Sequence, residues 1–209
     1  MKKVLIIRFS SIGDIVLTTP VLRCLKQQLN LEVHYLTKKS FAGLLQYNPY
    51  VAKVHAMVQK IDLKLIEHLK AEYFDLVIDL HSNWRSLLIK NVLGVPSKTY
   101  SKLNLQKWLL IHVGIDLMPQ QHLVDRYLDT ISYLGVSNDQ KGLDYFIVPG
   151  TKVDRGVEGP FIAWSIGGSY AQKKLAVHQV ANVCNQLDLP VFLLGGKQEV
   201  AEAEAIVSI

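Results

Sequence analysis

Short β-branched runs alternate with segments of helical period along the first hundred residues, and this alternation constrains the fold more than any other feature. Lys3 to Phe9 is a compact apolar run of the kind found in buried parallel strands, and it ends at a Ser-Ser-Ile-Gly turn. Asp14 to Leu29 follows with apolar side chains at Val16, Leu17, Val21, Leu22, Leu25 and Leu29, the spacing of one helix face. Next come an extended Leu31 to Leu36, a helix near Lys39 to Gln46, an extended Val51 to Val58 and a helix from Asp62 to Lys70. Asp75 to Leu80 is a second buried strand, Trp84 to Leu93 a helix and Ser97 to Ser101 a short strand. This order predicts βαβ units, and hence a parallel sheet covered by helices on both faces.

The rhythm then changes. Leu105 to Ile115 and His122 to Leu134 both read as helices, Gly135 to Lys141 as a polar turn, and Tyr145 to Val148 as extended. From Pro149 to Gly159 the chain mixes Pro, Gly, Lys, Asp and Glu without a period, the composition of a linker. Beyond it strands and helices resume: Phe161 to Ser165, a Gly-Gly-Ser turn, a helix near Val177 to Leu187, a strand Val191 to Leu194, Gly195-Gly196 and a last helix from Gln198. The predicted organisation is a Rossmann-like domain over 1–149, a linker over 150–159, and the start of a second such domain over 160–209. About 50 residues bury too little to stand alone, so the second unit either leans on the first or is unfinished in this chain, and the latter is the expectation.

Composition narrows the function classes. The apolar runs are a few residues long, far short of the ~20 a membrane span needs. Arg8 cuts the amino-terminal apolar stretch too early for a secretion signal. Cys24 and Cys184 lie far apart in helical segments and are expected to be reduced, buried thiols of a cytosolic protein. The 23 basic against 18 acidic side chains give a formal charge of +5, which suits an anionic partner. There is no Cys/His cluster with zinc spacing, no nucleophile elbow, no kinase set and no nucleic-acid motif.

In open α/β sheets ligands sit beyond the carboxyl ends of the strands, and four turns there carry candidate chemistry. In Arg8 to Asp14, Gly13 permits a close backbone turn, Ser10 and Ser11 offer hydroxyls, and Asp14 stands at a helix start as a general base or as a plain cap. In Asp79 to Ser86, Arg85 suits a carboxylate or phosphate, and Ser82 and Asn83 suit sugar hydroxyls. The bland reading there is a capped helix, a solvated arginine and a structural His81. The third turn, Ser165 to Lys174, places Gly167, Gly168, Ser169 and Lys173 as an anion site or merely as a flexible basic loop. In the fourth, Gly195 and Gly196 let a ligand approach, and Glu199 accepts from a ribose hydroxyl or simply starts a helix. A basic, aromatic stretch from Lys98 to Trp108 faces an anionic lipid or solvent.

The Arg-x-Ser-Ser-x-Gly-Asp-x-x-x-x-x-Pro run from Arg8 to Pro20 closely resembles the opening of the ADP-heptose:lipopolysaccharide heptosyltransferases, glycosyltransferase family 9. Asp75 to Ser86, His122 to Leu128 and Leu194 to Gly196 are similar to further family segments in the family's order. The resemblance implies a GT-B type α/β enzyme whose two Rossmann-like domains face each other across a cleft, acceptor on the N-terminal side and donor mainly on the C-terminal side. It implies inverting transfer of heptose from ADP-heptose to the lipopolysaccharide inner core, without metal or other cofactor, in the cytoplasm or at the inner membrane. Asp14 matches the catalytic base, Lys173 the phosphate-binding lysine, Gly168 and Ser169 the phosphate-side hydroxyl pair, and Glu199 the ribose-contacting glutamate. With Gly196 these form the implied donor site. Ser10, Ser11, Gly13, His81, Asn83 and Arg85 form the implied acceptor site.

Two departures accompany the resemblance. Lys173-Lys174-Leu175-Ala176 replaces the family's Lys-x-Trp-Pro, and Gly168 offers no hydroxyl. The family's Asp-x-Gly-x-x-His segment would lie beyond Ile209, so the 209-residue form is expected not to turn over. Another nucleotide-sugar donor, or a non-catalytic acceptor-binding protein, remain as alternatives.

Overall fold

The computed structural model describes residues 2–58, 60–152, 156–168 and 170–209. It divides into two compact units, Met1–Thr151 and Lys152–Ile209. That division falls within the expected linker, of which 153–155 lie outside the described residues.

The first unit is built on five strands: β1 (Lys3–Ile7), β2 (Glu32–Lys38), β3 (Lys53–Met57), β4 (Leu76–Asp79) and β5 (Ser97–Thr99). They pair in the order β3-β2-β1-β4-β5, all parallel. Val4 and Ile6 point into one apolar layer, with residues of α2 (Thr19–Leu29) and α6 (Leu123–Asp129). Leu5 and Ile7 point into the other, against α3 (Leu63–Lys70) and α4 (Trp84–Leu93). These four β1 side chains are fully buried. Each contributes roughly 1.5–3 kcal/mol relative to exposure, which makes β1 the anchor of the unit.

The second unit holds a parallel pair, β6 (Ile162–Ser165) and β7 (Val191–Leu194), with α7 (Val177–Cys184) and α8 (Val200–Val207). Its core is small: Ile166, Val180, Ala181 and Ile206 are buried.

Four expectations need correction. The helix expected over Asp14 to Leu29 is two helices, α1 (Ile12–Val16) and α2. Pro20 has no N–H to donate and its ring opposes a helical carbonyl four residues back. Thr18 and Thr19 instead donate their hydroxyls to the carbonyls of Ile15 and Val16, at 2.7 and 2.8 Å. The helix expected over His122 to Leu134 stops at Asp129 and resumes as a 3₁₀ turn, Ser132–Leu134, closed by Gly135 at φ 80°. Tyr145 to Val148 joins neither sheet; the neighbouring Asp144 N–H donates to Thr19 Oγ1 instead (2.9 Å). Of the two free cysteines Cys24 is buried, whereas Cys184, in the thin second unit, is only half-buried.

Helix α5 (Asn104–Val113) buries none of its residues and exposes Leu105, Trp108, Leu110, Ile111 and Val113. No helix among the described residues is long and apolar enough to cross a membrane.

Candidate active site

Strand order sets the location. From β1 the chain moves outward to β2 and β3, then returns to place β4 on the other side of β1. The order therefore reverses between β1 and β4, and the crevice beyond their carboxyl ends is the preferred ligand position of such a sheet. The Arg8-to-Asp14 and His81-to-Asn83 turns meet there.

Arg8, buried at the end of β1, joins them. Its Nε donates to the Ser10 carbonyl at 2.7 Å and its Nη1 to the Leu80 carbonyl at 2.7 Å. Its Nη2 lies 2.6 Å from Asp14 Oδ2, and its guanidinium sits 6.0 Å from the centre of the Tyr127 ring. Asp14 is the third residue of α1, whose N-cap is Ser11: the Ser11 N–H (3.2 Å) and hydroxyl (2.9 Å) both donate to Asp14 Oδ2. Burial works to raise the carboxyl pKa, but the Ser11 bonds and the Arg8 charge outweigh it and hold Asp14 below the ordinary 3.8. The Asp14 side chain is still 31% exposed, so the fixed carboxylate remains open to a ligand.

Gly13 plays a different part from the one expected. It lies inside α1 without a positive φ, and a Cβ there would meet nothing within 4 Å. The turn does not need glycine; its absent side chain leaves bare backbone beside Asp14. The Ser10–Ser11 peptide is cis.

On the β4 side, buried Asp79 shapes the loop. Its Oδ1 accepts from the N–H groups of His81 (3.0 Å) and Ser82 (2.8 Å), and Oδ2 lies 3.0 Å from Lys90 Nζ. His81 packs edge-on against Phe9, ring centroids 4.9 Å apart. Burial, then the Arg8 and Lys102 cations, push His81 down to about 4, so the ring is neutral at pH 7. His81 Nδ1 and Tyr127 Oη are buried without a hydrogen-bond partner among the described residues. Such atoms beside a crevice are candidate ligand contacts.

Asn83 and Arg85 are partly committed elsewhere. Asn83 is the N-cap of α4: its Oδ1 accepts from Ser86 N–H (3.0 Å), and its own N–H donates to Ser86 Oγ (3.0 Å). Asn83→Ala should cost about 1 kcal/mol of stability. Asn83→Asp, which keeps the cap and loses the amide donor, should unfold at the wild-type temperature. If it instead melts as low as the alanine variant, the amide and not the cap is what matters. Arg85 lies over the Trp84 ring at 5.2 Å, half-buried rather than free in solvent.

The second unit brings its two glycine turns side by side after β6 and β7. A Cβ on Gly195 would come 2.8 Å from Glu199 Cβ, and one on Gly168 would come 3.2 Å from Lys174 Cγ. Glu199 Oε2 accepts from Gly196 N–H at 2.9 Å, while Lys174 bridges Glu199 (3.3 Å) and Glu202 (2.9 Å). Lys173 is exposed, its ammonium 5.5 Å from the Tyr170 ring centre. Ser169 lies outside the described residues.

Sequence reasoning gave no site role to Arg8, Asp79 or Tyr127, and Lys102 entered only as part of the Lys98-to-Trp108 basic stretch. A signal was available for the first two: each is a charged residue at the end of an otherwise apolar strand run. Burial and the nearby Arg8 charge hold Lys102 below its ordinary value.

No protein-family model matches the sequence. The chain is 28% identical over 142 residues to lipopolysaccharide heptosyltransferase 1 of Campylobacter coli, a match covering 63% of this chain and 41% of that protein. The chain thus spans under half the length of this curated relative. Among solved structures, the glycosyl transferase family 9 protein of Veillonella parvula superposes with a TM-score of 0.78 at 19% identity, over 99% of this chain and 66% of that one. Escherichia coli heptosyltransferase WaaC with ADP gives 0.73 at 19% identity, over 98% and 71%. The sequence is similar to lipopolysaccharide heptosyltransferases, and the fold is the α/β type, GT-B, expected from the resemblance.

Proposed function

We propose that this chain is part of an inverting glycosyltransferase that moves heptose from ADP-heptose to a hydroxyl of the lipopolysaccharide inner core. The observation that carries the reading is the fixed, solvent-reachable Asp14 carboxylate at the switch point of the first sheet. In-line attack on an anomeric carbon requires a base on the acceptor hydroxyl and charge stabilisation on the departing diphosphate. Asp14 takes the hydroxyl proton, and Arg8 and Ser11 hold it in place. Ser10, Ser11, the backbone at Gly13, the neutral His81, the Asn83 amide and Arg85 are the groups available to the acidic sugar acceptor.

The donor belongs to the second unit. Lys173 is an unburied cation beside a glycine turn and is assigned to the diphosphate, with the backbone at Gly168 and Gly196. Ser169 and Glu199 are assigned to the donor on the resemblance alone. Glu199 already accepts from Gly196 and pairs with Lys174, so a ribose hydroxyl would have to share it. The exposed apolar side chains of α5, with Lys107 in the same helix and Lys102 just before it, are assigned to the lipid of the acceptor at the membrane surface. Relatives named as heptosyltransferases, one solved with ADP, support the choice of donor.

Calorimetric titration of ADP, ADP-heptose and UDP into the complete protein the gene encodes tests this. Saturable binding that favours the adenine nucleotides is expected, weakened roughly tenfold or more by Lys173→Ala, the worth of one charge-assisted contact. Indifference to every nucleotide would overturn the reading in favour of a non-catalytic binding protein.

A further inference from the structure

On the face of the first sheet that carries Leu5, Ile7 and Leu36, two histidines interrupt the apolar packing. His34 in β2 and His55 in β3 are 2% and 6% exposed, each packed edge-on against Phe74. His34 Nδ1 and His55 Nε2 lie 3.0 Å apart. Glu72, between α3 and β4, places Oε2 3.8 Å from His34 Nδ1. The three donor atoms fall within 4.8 Å of one another.

The outer nitrogen of His34 decides which atoms can act. His34 Nε2 lies 2.8 Å from Glu32 Oε1, and a carboxylate only accepts, so the proton sits on Nε2 and Nδ1 presents its lone pair inward. A carboxylate behind a histidine is the usual outer support of a metal ligand. A tetrahedral zinc site with metal–ligand distances of about 2.0–2.2 Å separates its donors by roughly 3.3 Å. The two imidazoles are already near that spacing, and Glu72 reaches it by a small side-chain shift.

We propose that His34 Nδ1, His55 Nε2 and a Glu72 carboxylate oxygen form a binding site for one divalent transition-metal ion of the zinc class, with water as the fourth ligand. His55 then carries its proton on Nδ1, and no proton is lost. The ion ties β2, β3 and the turn before β4 together, away from the Asp14 crevice, so its role is structural. The cost is electrostatic: Glu72 is bonded to Lys3 at 3.0 Å and to Lys53 at 2.5 Å, and Lys3 also lies 3.3 Å from Glu32. The Lys53 side chain is 57% exposed and free to swing into water when the ion enters.

The test uses the chelator-treated chain, titrated with Zn²⁺ and with Co²⁺ as a visible-absorption probe. One equivalent is expected, with tetrahedral Co²⁺ absorption and a raised unfolding temperature. Glu32→Gln should weaken binding 10- to 100-fold, and His55→Gln and Glu72→Gln at least as much. Lys53→Met, an exposed position that should fold normally, should tighten binding severalfold because a competing cation is gone. An absence of saturable binding would overturn the proposal. So would one-equivalent binding that survives His55→Gln and Glu72→Gln, or affinity that Lys53→Met leaves unchanged or lowers. Each readout is independent of nucleotide binding and sugar transfer.

Discussion

Arg23→Met is expected to destabilise the first unit by about 3 kcal/mol, the lower end of the range for removing one partner of a buried ion pair. Arg23 is 1% exposed in the middle of α2. Its Nε and Nη2 donate to the two Asp139 oxygens at 2.7 Å each, its Nη2 also to the Gly142 carbonyl at 2.9 Å, and its Nη1 pairs with Asp144. These contacts hold the irregular 135–145 segment against the helix. The lower figure applies because Asp139 and Asp144 keep 15% and 18% side-chain exposure and regain some water when the arginine goes.

The Arg23 contact also fixes a pH dependence. The Arg23 bonds pull Asp139 down to about 2 from the ordinary 3.8. A depressed carboxylate stabilises the fold fully above its unfolded value, and the gain is lost as pH falls from there towards the folded one. The gap in unfolding free energy between wild type and Arg23→Met should therefore be constant above pH ~5 and shrink by about 2 kcal/mol by pH ~2. Calorimetric unfolding across that range checks both parts. Equal melting temperatures at pH 7 would mean that the buried guanidinium contributes nothing.

Arg23 also marks where the sequence stops being legible. The apolar stripe of α2 was readable because Val21, Leu22, Leu25 and Leu29 repeat at helical spacing. A charge inside that stripe finds its meaning only in partners 116 and 121 residues away. Local signals did better. The bounds of α4 and β7 agree with expectation because Asn83 and Gly94 flank the helix and Pro190 and Gly195 flank the strand. The apolar period runs through Pro20 without a break, so the period alone predicts one helix where the proline makes two.

The candidate site divides the same way. Asp14 and Ser11 were legible because they bond three residues apart, whereas Arg8 gains its role only when β4 lies beside β1 and offers the Leu80 carbonyl. His34, His55 and Glu72 come from two strands and a turn, so no spacing in the chain announces them.

Asp14→Asn should lower sugar transfer by the complete protein 10²- to 10⁴-fold, the usual worth of a positioned acid–base group, and leave donor affinity unchanged. The substitution is nearly isosteric, and its amide oxygen still accepts from the Ser11 N–H and hydroxyl. It removes the proton acceptor and the charge facing Arg8. Because that arginine is buried, some stability will be lost as well, so the assay belongs well below the variant's own unfolding temperature.

A carboxylate held below 3.8 is a weak base in isolation. In the proposed role its value comes from position: it would accept the hydroxyl proton as the bond to the anomeric carbon forms, when that proton has become acidic. The same depression means that Asp14 stays ionised down to the ordinary carboxylate range. The rate should therefore show no acidic limb from Asp14 between neutral pH and about pH 5. A variant that keeps more than a tenth of the wild-type rate, or one whose whole loss appears in donor affinity, would take the base role away from Asp14. The Arg8 and Ser11 contacts would then be only the capping of a short helix.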